Sequence, residues 1–121
     1  MKKLLAVCFA LGASAGLFGE SYRFAALPKS VSAPYWEFVR AGVEKARAEY
    51  KAEGVDVTVE WMGPESEEDV DTQVRVMDEA IKNKFDGIIL APCNKVVLGA
   101  SVKKAADAGI PTVVIDSGLR A

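Results

Sequence analysis

Lys29 and Ser30, Tyr35 and Trp36, Cys93 and Asn94, and Asp116 and Ser117 are the residues of this sequence whose types and positions could do chemistry. Together they supply an ammonium, a carboxylate, hydroxyls, an amide, a thiol and two aromatic rings, a set suited to holding a polar molecule by hydrogen bonds and ring contacts. Catalysis would need more. The chain contains no histidine, so neither a Ser-His-Asp relay nor a histidine zinc site can be assembled within it. A lysine and an aspartate alone do not furnish a reaction, and no enzyme activity is expected. Gly12-Ala13-Ser14-Ala15-Gly16 spells the G-x-S-x-G of a nucleophile elbow, but it sits in a leader-like segment rather than between a strand and a helix. "PKSVSAP", after the first strand-like run, has no glycine, which removes both a dinucleotide fingerprint and a phosphate-cradling loop. The acidic run Glu65-Ser66-Glu67-Glu68-Asp69 lacks the alternation and closing glutamate of a calcium loop. Ser66 followed three residues later by Asp69 reads instead as a helix cap, with acids at the positive end of the helix. No cofactor or metal is expected.

A regular alternation of segments must position these groups. Tyr22 to Leu27, Val55 to Trp61, Gly87 to Leu90 and Thr112 to Ile115 are short apolar runs that read as strands. Between them Ala33 to Glu53 carries Tyr35, Val39, Val43, Ala46 and Tyr50 at helical steps, Val70, Val74, Met77 and Ile81 form a second stripe, and Leu98, Val102 and Ala105 a third. Gly54, Asp86-Gly87 and Gly109-Ile110-Pro111 mark the stops. Strands joined through helices pair in parallel with right-handed crossovers. The expected class is α/β, a doubly wound parallel sheet of four strands and three helices. Ligands of such sheets bind beyond the carboxyl ends of the strands, and there Lys29 and Ser30 follow the first strand, Met62 the second, Cys93 and Asn94 the third, and Asp116 and Ser117 the fourth, with Tyr35 and Trp36 at the start of the helix after the first. Strands one and four should lie two positions apart, roughly 10 Å, so Lys29 has three readings: a ligand contact, a snorkelling surface lysine, or a partner of Asp116. Asn94 is expected to cap the third helix and Cys93 to be a small buried filler.

The 121 residues are 50% hydrophobic and 26% charged, with a formal net charge of -2, which suits one globular domain at most. Neither lysine nor arginine is clustered, so a nucleic-acid partner is unsupported. Met1-Lys2-Lys3, the apolar run Leu4 to Leu11 and Ala13-Ser14-Ala15 have the three parts of an export signal. The run is far shorter than the roughly 20 apolar residues that span a bilayer. The chain therefore divides into a signal at 1–15, with cleavage near Ala15 or a few residues later, and a mature segment at 16–121 located in the periplasm or outside the cell. Cys8 would leave with the signal and Cys93 would remain as a lone thiol without a disulfide.

"YRFAALPKSVSAPYWEFVRAGVEKA", "FDGIILAP" and "AGIPTVVIDSG", in that order behind the leader, resemble the amino-terminal lobe of periplasmic sugar-binding proteins, the ribose/galactose-type solute receptors of ABC transporters. The similarity runs from about Tyr22 to the last residue. It implies the periplasmic binding protein-like I fold, whose Rossmann-like lobes are joined by hinge strands and close on a sugar. Only the first four strands of the first lobe are present, so residues 16–121 read as a partial lobe and the second lobe is missing. The implied partners are a sugar or furanosyl ligand and a membrane permease. Carried over by position, Tyr35 and Trp36 resemble rings that stack on a sugar face, although either could simply staple the first helix to the sheet. Asp116 resembles the carboxylate that accepts from two sugar hydroxyls. Ser117 stands where ribose receptors carry an arginine. Lys29 stands where many members have a small polar residue, and the Pro-Lys version resembles the branch with receptors for a furanosyl signalling sugar, where the lysine donates to ligand oxygens.

Two other readings belong to different classes: a truncated gene product without function, and a ligand-sensing domain for a signalling or chemotaxis receptor. The fold also serves as the effector domain of cytoplasmic repressors, but no DNA-binding helices precede it here. Four strands alone would leave Thr112 to Ile115 at a sheet edge, apolar and uncharged until Asp116, which predicts a marginal, association-prone domain.

Overall fold

A computed structural model describes residues 19–120. The leader and its expected cleavage site lie outside the described residues. The chain runs β1 (Ser21–Leu27), α1 (Pro34–Ala52), β2 (Asp56–Trp61), α2 (Val70–Lys82), β3 (Gly87–Leu90), α3 (Val97–Asp107) and β4 (Thr112–Val114). Each expected element is present, with ends displaced by a residue or so, as is usual where helices fray and strands taper. No helix among the described residues is long and apolar enough to cross a membrane.

The sheet has the order β2-β1-β3-β4 and every pairing is parallel. β1 and β4 thus lie two positions apart, with β3 between them. Side chains alternate along each strand. Ala25 and Leu27 of β1 and Ile88 and Leu90 of β3 point to the face covered by α2 and α3, where they join Val76, Met77, Ala80, Leu98 and Ala105 in the main core. Phe24, Val57, Val59 and Ile89 point to the other face and meet Val43, Ala46 and Tyr50 of α1. Tyr50, part of the apolar stripe that defines α1 in the sequence, is 52% exposed. α1 reaches across β1 and β2 but leaves the β4 side of its face open, and Val113 is 62% exposed there.

Local chemistry fixes the ends of the helices. α1 stops at Glu53, after which Gly54 takes φ +86°, the left-handed conformation that only glycine enters freely. The cap of α2 is Asp69 and not Ser66: the Asp69 carboxylate accepts from Thr72 N at 2.9 Å, whereas Ser66 Oγ accepts from Glu68 N one turn earlier. Ser66 and Asp69 are both of capping type, and the one adjoining the first helical residue takes the role. Asn94 caps α3 as expected, its Oδ1 accepting from Val96 N and Val97 N.

Candidate functional site

The carboxyl ends of β1, β3 and β4 bring Lys29, Cys93, Asp116 and Ser117 to one rim. Lys29 leaves β1 two residues after its end, just past buried Pro28. Asp116 follows β4 in a tight turn in which Ser117 N donates to Ile115 O at 2.7 Å while Asp116 holds φ +63°. That is the φ of a γ-turn with a non-glycine residue at its centre, a conformation that costs on the order of 1–3 kcal/mol and that aspartate tolerates better than most residues. The turn aims the carboxylate back along the rim. Lys29 Nζ lies 2.6 Å from Asp116 Oδ2 and donates to Ser117 Oγ at 2.7 Å, and Ser117 Oγ in turn donates to Asp116 Oδ2 at 3.1 Å. Of the three readings of Lys29, pairing with Asp116 is therefore realised in this structure. The side chains are only 18% and 29% exposed, so the pair is held with little solvent screening on its inner side. The hydrogen bond from Lys29 keeps the Asp116 carboxyl below the usual carboxylate range, against an opposing push from desolvation and with a lesser contribution from the Ser117 hydroxyl.

The aromatic pair forms a second group on the same rim, at the start of α1. Its two members do different things. Trp36 is 1% exposed and its indole Nε1 donates to Glu67 Oε1 at 3.0 Å, so its faces are closed to a ligand and the ring fastens α1 to the loop before α2. Of the two readings given for these rings, Trp36 takes that of the staple and not of a stacking surface. Tyr35 is 58% exposed and stands edge-on to Trp36 with the centroids 5.1 Å apart. The buried indole thus props the open phenol.

Residues not singled out in the sequence for the purpose hold this rim in shape. Gln73 of α2 is fully buried, and its amide donates to Pro28 O at 3.0 Å and Ala91 O at 2.8 Å while its carbonyl accepts from Cys93 N at 2.7 Å. One side chain thereby ties the loops that leave β1 and β3. Its signal was present: Gln73 falls three residues after Val70 and four before Met77, on the apolar stripe, where an uncharged amide has to find partners. Ser30 is 1% exposed, accepts from Ala33 N and Ser32 N, and donates to Glu65 O at 2.7 Å, which satisfies the start of α1 in place of a formal capping side chain at Ala33. Gly63 packs against the same loop, where an added Cβ would come within 3.1 Å of Pro28 O. Cys93 is partly buried, with Sγ 3.6 Å from Lys29 O. Burial, before the charge of Glu67, pushes its thiol up to about 11, so it is an inert spacer rather than a nucleophile. No cluster of potential metal ligands occurs among the described residues.

The rim lies beyond the carboxyl ends of the strands, where ligands of doubly wound sheets bind. The D-ribose/D-allose-binding protein of Pseudomonas aeruginosa is 31% identical over 98 residues, which cover 81% of this chain and 30% of that protein. A sugar transporter from Clostridium phytofermentans superposes with a TM-score of 0.75 at 34% identity, over 83% of this chain and 36% of its own. A carbohydrate transporter solute binding protein from Agrobacterium radiobacter, in complex with D-arabinose, gives 0.71 at 31% identity over 82% and 32%. The chain thus spans about a third of the length of these relatives. Residues 24–121 match the periplasmic binding protein domain. Parallel sheet and match together make this chain a member of the periplasmic binding protein domain family, whose members are binding components of transport and not enzymes.

Proposed function

We propose that this chain supplies one wall of the ligand site of a sugar-binding solute receptor, working with an ABC transporter permease outside the cytoplasm. The observation that carries the reading is the Lys29–Asp116–Ser117 network on the rim. Lys29 Nζ commits N–H groups to Asp116 and Ser117 and has one more to give. Asp116 Oδ2 accepts from both neighbours, while Oδ1 has no partner among the described residues. A free donor beside a free acceptor, in a pair whose charges cancel, suits neutral hydroxyls, each of which donates and accepts. Tyr35 offers an open ring nearby for the C–H face of the same ligand. Relatives carry D-arabinose, D-fucose and D-allose, so the ligand class is a neutral pentose or hexose. Trp36 acts at one remove, as the support of Tyr35.

The mature segment begins near residue 16, after an export signal, and it is one face of the site, with the opposite lobe outside these 121 residues. A single face leaves half the sugar in water, so affinity is limited to the millimolar range, about 4 kcal/mol. Saturation-transfer NMR with D-allose, D-ribose, D-arabinose and D-fucose tests the proposal on the wild-type chain and on Asp116→Ala. Transfer to at least one sugar, lost in Asp116→Ala while the amide spectrum stays folded, is expected. Equal transfer in both proteins would move Asp116 to a purely structural role.

A further inference from the structure

The acidic run after β2 has one member that plays no part in capping α2. Asp69 is the cap and Ser66 Oγ accepts from Glu68 N, but Glu67 bonds elsewhere: its Oε1 accepts from the indole Nε1 of Trp36 at 3.0 Å. The segment that carries Glu67 is fixed on both sides. Before it, Pro64 O accepts from Val31 N at 2.8 Å, and Glu65 O accepts from the Ser30 and Ser32 hydroxyls at 2.7 and 2.9 Å. After it, Ser66 O accepts from Asp69 N at 3.1 Å, and Asp69 holds the first turn of α2 through Thr72 N. The loop after β2 is thus bonded along the loop that carries Lys29 and leads to Tyr35, and the Glu67 carboxylate is presented from a braced turn.

What that carboxylate controls is the pose of a ring. Trp36 is 1% exposed, so Glu67 satisfies a donor that would otherwise be buried without a partner. The outer torsion of an aromatic side chain is soft, and a directional bond at Nε1 removes that freedom. Tyr35 then follows the indole. The two rings meet edge to face at 84°, an arrangement that aromatic pairs prefer, and the open Tyr35 ring has less packing of its own to orient it. We infer that Glu67 is a positioning residue of the sugar site, fixing the indole of Trp36 so that the Tyr35 ring is held in the pose in which it meets the sugar. The inference rests on the sugar-binding role proposed for the rim. Glu67 acts through the bond and not through its charge: an amide in its place offers the same oxygen to Nε1, whereas a methyl group offers none.

NMR of the full chain tests this with Glu67→Ala, Glu67→Gln and Glu68→Ala, all at exposed positions, first without ligand and then in titration with D-allose, D-ribose, D-arabinose and D-fucose. The ligand-free spectra report the indole N–H of Trp36 and the ring protons of Tyr35, whose shifts depend on how the two rings face each other. In Glu67→Ala both should move while the amides of the core stay in place, and sugar binding should weaken about two- to tenfold, the worth of an aromatic contact. Glu67→Gln should keep both as in the wild type. Glu68→Ala, which removes a like charge one residue on, should also match the wild type. Tyr35 resonances unmoved in Glu67→Ala overturn the inference, and so does a moved ring with undiminished sugar binding. A loss in Glu68→Ala equal to that in Glu67→Ala overturns it too, by making charge and not the bond the cause. A wild type that takes up none of the four sugars refutes the sugar-binding role instead, an outcome distinct from the others because the ligand-free spectra judge the linkage from Glu67 to Tyr35 without any sugar.

Discussion

Replacing Gln73 by leucine should cost about 3 kcal/mol of stability. The amide is fully buried and makes three hydrogen bonds, to Pro28 O, to Ala91 O and from Cys93 N. Leucine matches its size and makes none of them. Each buried group left unpaired costs about 1–3 kcal/mol, so three such groups give a gross loss of about 3–9 kcal/mol. Two effects reduce it. Leucine burial returns about 1–2 kcal/mol, and Cys93 is only partly buried, so water can reach its N–H. A net loss of about 3 kcal/mol is a large fraction of the 5–15 kcal/mol that typically holds a domain together, and it corresponds to a fall in Tm of roughly 12–24 °C for a domain of this size. Urea unfolding followed by circular dichroism reads the change directly, with m as the check that the denatured state is unaltered. A loss under about 1 kcal/mol at constant m would refute the claim that Gln73 clamps the ends of β1 and β3.

Acid should weaken the fold through two carboxylates. Asp69 is held low mainly by the Thr72 N–H and Asp116 mainly by Lys29. Depressed folded-state values mean that their contributions are present above the unfolded carboxyl pKa near about 4 and are lost as pH falls through the folded values. In Lys29→Met the Asp116 carboxyl should titrate higher while Asp69 is unmoved, and carboxyl NMR titration checks both; an unshifted Asp116 would mean that Lys29 is not its principal partner. Cys93, with its thiol at about 11 against an ordinary 9.0, should alkylate about 100-fold more slowly at pH 8 than an unhindered thiol, and faster by about tenfold per pH unit up to pH 10. Iodoacetamide kinetics followed by mass spectrometry of the Cys93 peptide would show this, and a rate equal to that of free cysteine would count against it. Asn94→Ala should cost about 1 kcal/mol by removing the α3 cap, read from the same urea transition; a change below about 0.3 kcal/mol would contradict the capping geometry.

The alternation of apolar runs and helical stripes was enough to place every strand and helix, because in a parallel sheet both the period and the connection length are dictated by burial and crossover geometry. The rim followed from the same rule, and the spacing of β1 and β4 allowed Lys29 to reach Asp116. What remained open needed three dimensions. Lys29 had several possible partners, and the turn at Asp116, with φ +63°, is what swings the carboxylate to it. Tyr35 and Trp36 are adjacent in sequence and similar in chemistry, yet a helix turns successive residues by about 100°, and that rotation sends Trp36 inward to Glu67 and leaves Tyr35 outside. Gln73 was visible as a polar residue on an apolar stripe, but its partners are backbone groups 45 and 18 residues away, which no local pattern records. Asp69 displaced Ser66 as the α2 cap for a simpler reason: two competent caps stood three residues apart, and the start of the helix chose between them.

Amide chemical-shift mapping of the isotopically labelled chain during titration with D-allose up to about 50 mM tests the central claim most directly. Residues of the rim, chiefly Lys29, Tyr35, Asp116 and Ser117, should shift together along one saturable curve, while Ile89 and Val113 on the α1 face of the sheet stay in place. A spectrum unmoved by D-allose and by the other pentoses and hexoses at the same concentration, or one whose shifts gather away from those four residues, would contradict the assignment of this rim as a sugar-binding wall.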